Sequence, residues 1–296
     1  MILVAGGQFD INLGALLRRM LQRRVDFCEL LVGTGAPPQV MIDLRRDRMK
    51  LNGKSLRPTA CFMRHDVFLS EASQEPEANA ATLNWYVAIK GWELAHDDVR
   101  GFNKRLVGPE SNKLRNLYLA ARHGLPVPRT LLTNDFKAAR AALKGPLIEK
   151  PAAGGEYTED LGALVTALAS RGPVARYPRF VQPRLSRPEL RVYRIGATLL
   201  GFSLTSPDLD YRTRQRVRLK PTGVPAALAG KLVAFCDELG LDFAAADFMR
   251  DPKTGALTFL EVNSQPMFAA FDLACRGRLC DAIIDHLSAG QRPPEP

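Results

Sequence analysis

The stretch that decides the fold is "TFLEVNSQPMFAAFD", residues 258–272. Its first half has the pattern of a buried strand, yet it carries an acid and an amide, Glu261 and Asn263, two positions apart. Because side chains alternate across a strand, these two oxygen-bearing groups share a face. A buried carboxylate without a partner is strongly unfavourable, so the sequence predicts a cationic group beside Glu261.

A second strand, "LDFAAADFM", precedes this stretch and supplies a further acid, Asp247. If residues 251–255 form a hairpin loop, Asp247 lies opposite Phe259, on the face of Glu261 and Asn263. Three oxygen donors without His or Cys favour Mg²⁺ or Mn²⁺, with phosphate oxygens completing the coordination shell. The alternative is two solvated acids and an Asn263 that caps a turn, and a one-residue slip would remove Asp247 from the set.

The composition is that of a soluble globular protein large enough for two or three small domains. The chain has 296 residues, of which 46% are hydrophobic and 24% charged. No stretch approaches the roughly 20 apolar residues of a membrane span, and "MILVAGGQFD" lacks the pattern of a signal peptide. We therefore expect a cytoplasmic protein that does not bind membranes.

The formal net charge of +10 favours anionic partners such as nucleotides or acidic peptides. The densest basic cluster, "DYRTRQRVRLK", lacks interleaved aromatic residues, which argues against nucleic acid. Five cysteines without zinc spacing indicate reduced thiols, and four scattered histidines argue against a histidine-based site.

The order of the predicted elements indicates an α/β (α+β) chain in three parts with a short tail. Residues 1–103 alternate strands and helices, with a tight turn at Asn52-Gly53. A helix follows Pro109, with an apolar stripe at Leu114, Leu117, Tyr118 and Ala121. From residue 178 the chain is rich in strands, and the tail "QRPPEP" is expected to be disordered.

Together these segments resemble the ATP-grasp superfamily of carboxylate–amine ligases. "GLDFAAADFM" with "FLEVNS" is similar to its metal-binding hairpin, "PLIEKP" to a strand with a nucleotide-binding lysine, and "FVQPRL" to its adenine hinge. The resemblance implies a pre-ATP-grasp α/β domain (1–103), a central lid subdomain (104–178), a C-terminal antiparallel-sheet subdomain with the metal site (179–290) and a disordered tail (291–296).

"ELRVYRIG" and "DYR" resemble most closely the graspetide (microviridin-type) peptide ligases, with the ribosomal-protein glutamate ligases next. The resemblance implies an ADP-forming ligase that activates a carboxylate, on a ribosomally made peptide, as an acyl-phosphate and joins it to an amine or a hydroxyl. One alternative is a ligase acting on a small acid or a protein terminus, and another is a non-catalytic binding module. A homodimer is compatible with the resemblance.

The resemblance also implies roles for individual residues with ATP as cosubstrate. The residues implied to bind the nucleotide are Lys113, Lys150, Gly154, Gly155, Gln182, Pro183, Arg184, Leu185 and Glu189. Because Pro183 has no N–H, the hinge donor is expected from Arg184 or Leu185. Glu189 is implied to bind the ribose hydroxyls, and the alternative for both lysines is solvated surface.

Three residues are candidates for catalysis. Arg191 and Arg212 are implied to bind the γ-phosphate and the acyl-phosphate, because guanidinium forks match such oxyanions. Asp210 is expected to orient Arg212 or to hold the nucleophile. For Arg214, Arg216 and Arg218, an exposed cluster of ion pairs is an equal alternative.

Overall fold

The computed structural model describes residues 1–33, 35–64, 76–106, 112–152, 157–162, 174–210 and 216–289. Five predictions therefore lie outside the described residues. They concern Gly154 and Gly155, Arg212, Arg214, the helix start at Pro109 and the tail at 291–296.

The described helices are α1 (Ile11–Gln22), α2 (Pro76–Ala95), α3 (Lys113–Arg122), α4 (Phe136–Ala142), α5 (Ala226–Leu239), α6 (Ala269–Ala274) and α7 (Arg278–Ser288). The described strands are β1 (Ile2–Gly7), β2 (Phe27–Val32), β3 (Val40–Asp43), β4 (Arg48–Leu51), β5 (Lys54–Leu56), β6 (Ala60–Met63), β7 (Leu131–Asp135), β8 (Leu147–Pro151), β9 (Glu159–Asp160), β10 (Val174–Pro183), β11 (Ser186–Ile195), β12 (Thr198–Thr205), β13 (Arg218–Thr222), β14 (Phe243–Arg250) and β15 (Leu257–Asn263). Of these helices, none combines the length and the apolar character that a membrane crossing requires.

The chain divides into two compact units. Unit 1 comprises Met1–Arg105 and Gln265–Pro296, and unit 2 comprises Leu106–Ser264. The return of the chain to unit 1 after Ser264 has no signal in the sequence, and the predicted boundary at residue 178 stays a prediction.

Unit 1 is built on a parallel sheet of order β2-β1-β6 and an antiparallel sheet of order β3-β4-β5. β1 is the central parallel strand and all six of its residues are buried, as its continuous apolar sequence indicates. The turn predicted at Asn52-Gly53 joins β4 to β5, and both residues have positive φ, 49° and 79°. Such a two-residue turn matches the twist of the strands it joins.

A fully buried polar network in unit 1 fixes the chain that follows β15. The Arg64 guanidinium is 1% exposed, and it donates to Asp10 Oδ2 at 2.6 Å and to the Pro266 carbonyl at 2.8 Å. Asn12 Oδ1 accepts the backbone N–H groups of Phe268 at 2.6 Å and Ala269 at 2.8 Å. These bonds hold residues 266–269 through side chains of the N-terminal segment.

Unit 2 contains two antiparallel sheets, of order β7-β10-β8-β9 and β13-β12-β11-β14-β15. In the five-stranded sheet the alternation of side chains separates two faces. One face packs an apolar core against α3 and α5, and its members include Leu190, Val192, Ala246, Phe248, Phe259 and Val262. Arg191, Asp247 and Glu261, which pair across the same strands, point to the opposite face.

Helix α3 differs in part from its predicted stripe. It begins at Lys113, and the Asn112 side chain accepts the N–H of Arg115 as N-cap. Leu117 is buried as predicted, but Tyr118 is 69% exposed and Leu119 is buried. The buried face is rotated from the predicted one, because Leu119 and Ala120 pack into the core under the five-stranded sheet.

Candidate active site

The three predicted metal ligands lie on neighbouring strands, in a register that differs from the predicted one. Asp247 of β14 pairs with Glu261 of β15, and Ala245 pairs with Asn263. The expected pairing of Asp247 with Phe259 is wrong, because the register shifts at a bulge and Phe259 pairs with Phe248. Directly opposed residues share a face in an antiparallel sheet, so Asp247, Glu261 and Asn263 still point the same way, as predicted.

The carboxylates of Asp247 and Glu261 each form an ion pair with a basic side chain. Arg191 of β11 pairs with Asp247 in the ladder, and its guanidinium donates from Nε to Oδ1 at 2.6 Å and from Nη2 to Oδ2 at 2.7 Å. Lys113, the first residue of α3, places Nζ 3.3 Å from Glu261 Oε2. Four charged side chains therefore form a row in the order Arg191, Asp247, Glu261 and Lys113. Lys113 is the cationic partner that the sequence predicts beside Glu261.

The pKa values of Asp247 and Glu261 are shifted in opposite directions by their surroundings. Burial raises the pKa of Asp247 above its ordinary value, although Arg191 opposes the shift. Burial also tends to raise the pKa of Glu261, but the charges of Lys113 and Lys150 outweigh it and the pKa is lowered. Lys150, on β8 and only 8% exposed, thus acts from the other sheet of unit 2 on the same carboxylates.

The predicted hinge at residues 182–185 offers a different set of polar groups from the one expected. The Arg184 N–H donates to the Pro146 carbonyl at 2.9 Å, which favours Leu185 of the two residues predicted to supply the hinge donor. Gln182 is 1% exposed, and its Nε2 donates to Thr130 Oγ1 at 2.8 Å. Its Oε1 is buried without a hydrogen-bond partner among the described residues, which leaves an acceptor for a ligand.

Comparison with solved structures identifies the fold. The ATP-grasp ligase PsnB, in a complex with minimal precursor, Mg and ADP, matches with a TM-score of 0.74 and 23% identity over 97% of both chains. The chain has the ATP-grasp fold. This confirms the fold expected from the hairpin and lysine motifs.

Two further solved structures share the ATP-grasp fold at lower identity. The macrocyclase MdnC from Microcystis aeruginosa MRC, bound with precursor peptide MdnA, matches with a TM-score of 0.70 and 16% identity over 97% of this chain and 99% of its own. The VanG D-Ala:D-Ser ligase from Enterococcus faecalis matches with a TM-score of 0.61 and 16% identity over 97% and 98%. No family model and no curated protein matches the sequence.

The donor set on β14 and β15 fits a hard divalent cation. Asp247, Glu261 and Asn263 offer only oxygen atoms on one face, and such sets select Mg²⁺ or Mn²⁺. No cluster of three His, Cys, Asp or Glu suited to a metal occurs in the described part of the chain, and the third oxygen donor of this set is the amide of Asn263. Arg191 and Lys113 form ion pairs with these two carboxylates.

Asp210 lies in the loop that follows β12, and its predicted catalytic role stays a prediction. Its side chain is buried, and Oδ2 accepts the Thr158 N–H at 3.2 Å. Arg212, the partner predicted for Asp210, lies outside the described residues. Pro183 and Leu185 are half-buried at the end of β10 and after it.

Glu189, on β11, lies near enough to Asp247 and Arg191 for their charges to affect its pKa. It is 8% exposed, and burial together with the charge of Asp247 raises its pKa from the ordinary 4.5 to about 7. Arg187 approaches it, with Nη1 3.7 Å from Oε2. The sequence places Glu189 near a nucleotide only through the family motif, and nothing in its local pattern shows this burial.

We expect Glu189→Gln to flatten the pH dependence of stability in metal-free protein. The folded wild type retains a proton on Glu189 that the unfolded chain releases, so wild-type stability falls as pH rises from 4.5 to about 7. One pKa unit corresponds to about 1.4 kcal/mol, so the fall attributable to this group is at most about 3 kcal/mol. Urea unfolding across this range measures it, and an equal slope in the variant would show that Glu189 ionises normally.

Proposed function

We propose that the protein is an ATP-dependent ligase that activates a carboxylate of a ribosomally made peptide and joins it to an amine or a hydroxyl. The observation that carries the proposal is the row of Arg191, Asp247, Glu261 and Lys113 in the ATP-grasp fold, with Lys150 acting on both acids. The ATP-grasp ligase PsnB was solved with a minimal precursor and the macrocyclase MdnC with a precursor peptide, which supports a peptide substrate.

In the first step, separate groups of residues would bind the phosphates and the metal. Lys113 and Lys150 would bind phosphate oxygens, and Asp247, Glu261 and Asn263 would hold Mg²⁺, for which Mn²⁺ is the natural substitute. When bound, the metal would supply charge neutralisation at the phosphates. A substrate carboxylate oxygen bonds to the γ-phosphorus, the bond to the bridging oxygen breaks, and ADP leaves.

The second step forms the product bond. The acceptor nitrogen bonds to the acyl carbon, phosphate leaves, and the nitrogen gives up one proton. A hydroxyl acceptor gives an ester by the same sequence. Positioning and charge supply the catalysis, so the step needs no enzyme nucleophile.

The cysteines agree with a mechanism that has no covalent enzyme intermediate. Burial raises the pKa of all five thiols, to about 11 for Cys28 and about 12 for Cys236. These thiols stay protonated at neutral pH, and a protonated thiol is a poor nucleophile.

The experiment that tests the function measures ADP release with MgATP and a candidate peptide. Release that depends on the peptide, with loss of one water per new bond in its mass spectrum, supports the proposal. Release that depends instead on a free amino acid would favour the second candidate, a small-acid ligase, which the likeness to the VanG ligase supports. ATP binding without turnover would indicate a binding module, and the homodimer and the cytoplasmic location are predictions outside this test.

Lys150→Ala should raise the KM for ATP by about tenfold, because a charge-assisted bond to phosphate contributes about 1.5–3 kcal/mol. Lys144→Ala, a change at a nearby exposed lysine, provides the control. Initial rates at varied ATP concentration measure the effect, and an unchanged KM would remove Lys150 from the nucleotide site.

A further inference from the structure

Arg187, at the start of β11, has a guanidinium group whose two nitrogens differ in their partners. Nη2 donates to the backbone carbonyls of Asp208 at 3.1 Å and Leu209 at 3.2 Å. Nη1 is buried and finds no hydrogen-bond acceptor among the described residues. The carboxylate of Glu189 is 3.7 Å from Nη1, which is beyond hydrogen-bonding distance.

A buried N–H without an acceptor is rare in folded proteins, and each instance calls for an explanation. The Arg187 side chain is 18% exposed, so water does not surround the group freely. The Nη1 donor lies beside Glu189, the acid implied to bind the ribose, and the Glu189 side chain is itself only 9% exposed. An oxygen atom of a ligand held at Glu189 would satisfy this donor.

The loop that Arg187 holds, residues 206–210, is tied at two further points. Asp208 Oδ1 accepts from Arg216 Nη2 at 2.6 Å on the exposed side of the loop. Asp210 Oδ2 accepts the N–H of Thr158, which immediately precedes β9 of the other sheet. Arg187 therefore contacts both the neighbourhood of Glu189 and a loop that reaches the four-stranded sheet.

We propose that Arg187 is a nucleotide-binding residue whose Nη1 donates to an oxygen of the nucleotide next to Glu189, while Nη2 holds the loop 206–210. The inference rests on the proposed function, because it requires that this cleft binds ATP. It assigns a role to a residue that the sequence motifs leave without one. Ribose and phosphate oxygens are both acceptors of the required kind.

The test compares Arg187→Gln with Arg216→Gln by calorimetric titration of the full-length protein with MgATP. Arg216 contacts the same loop but not Glu189, so it is the matched control. A lost charge-assisted hydrogen bond corresponds to about a tenfold to hundredfold weaker Kd. We expect that loss for Arg187→Gln and less than about a twofold change for Arg216→Gln.

Thermal unfolding separates binding from a structural role. In nucleotide-free protein a structural defect lowers the Tm, whereas loss of a ligand contact reduces the increase in Tm that ATP produces. Arg187→Lys, which keeps the charge but not the fork, provides a second variant if Arg187→Gln does not fold. We expect the ATP-induced increase to shrink in both variants.

Each outcome has a defined meaning. If the affinity loss disappears with 2′-deoxy-ATP, the acceptor is the 2′-hydroxyl, and if it persists, another nucleotide oxygen is the acceptor; both support the proposal. Equal ATP affinity of wild type and Arg187→Gln, or equal losses in the two glutamine variants, would overturn it while the proposed function stands. Absence of ATP binding by the wild type would overturn both.

Discussion

Replacing Glu261 with alanine should lower the ligation rate by at least about a thousandfold, on the order of 4 kcal/mol of transition-state stabilisation. The carboxylate lies directly opposite Asp247 and 3.3 Å from Lys113 Nζ. Its removal takes away one of the three oxygen donors and frees Lys113 from its partner. Single-turnover rates at saturating MgATP and peptide measure the effect.

The control for this experiment is Glu238→Ala in the same unit. Glu238 forms surface pairs with His123 at 2.5 Å and with Arg122 at 3.6 Å. Surface pairs contribute about 0–1 kcal/mol, so this variant should keep its rate and nearly all its stability. Turnover by Glu261→Ala with the wild-type dependence on Mg²⁺ would show that the metal assignment is wrong.

Replacing Arg191 with alanine should destabilise unit 2 by about 3–5 kcal/mol, the usual cost of leaving a buried charge without its partner. Asp247 is 4% exposed, and both of its oxygens accept from Arg191 at 2.6 and 2.7 Å. The variant should also lose ligation, because Arg191 is the candidate for binding the γ-phosphate. Urea unfolding monitored by circular dichroism measures the loss of stability.

The effect of Arg191→Ala should depend on pH. Burial raises the pKa of Asp247 and Arg191 opposes this, so the variant raises it further. A raised carboxyl pKa removes stability as pH rises, so the variant loses least at low pH, where Asp247 is protonated, and most at neutral pH. A loss that is constant with pH would contradict the assigned pair.

Arg194→Ala is the matched control for Arg191→Ala. Arg194 lies on the same strand but on the opposite face, and it pairs with Asp237, whose side chain is 60% exposed. Removing Arg194 leaves that acid in water, so the loss of stability should be smaller than for Arg191→Ala.

The sequence predicts the site as far as its signals are local. Alternation along β15 places Glu261 and Asn263 together, and the apolar neighbours of Glu261 indicate a cationic partner, which the structure identifies as Lys113. The bulge between the pairs Asp247–Glu261 and Phe248–Phe259 has no such signal. Without it, the observed pairing of Arg250 with Leu257 would place Asp247 opposite Leu260, on the other face from Glu261.

Contacts between distant segments account for the other differences. The Arg184 N–H donates to the backbone carbonyl of Pro146, thirty-eight positions upstream, and no sequence motif around the hinge indicates this hydrogen bond. Tyr118 fits a helical stripe by spacing alone, yet Leu119 is the residue that the core accommodates. The acceptor left at Gln182 Oε1 likewise follows from its bond to Thr130 and not from the local pattern.

The buried bonds of Asp10, Asn12 and Arg64 have a consequence for chimaeric enzymes. These three side chains hold residues 266–269, which begin three positions after Asn263. A chimaera in which only residues 1–105 are replaced would place another protein's residue at position 12. That residue would then have to accept the native backbone N–H of Phe268. Recombination of this protein should therefore transfer residues 1–105 and 265–296 together, with crossovers at 105/106 and 264/265.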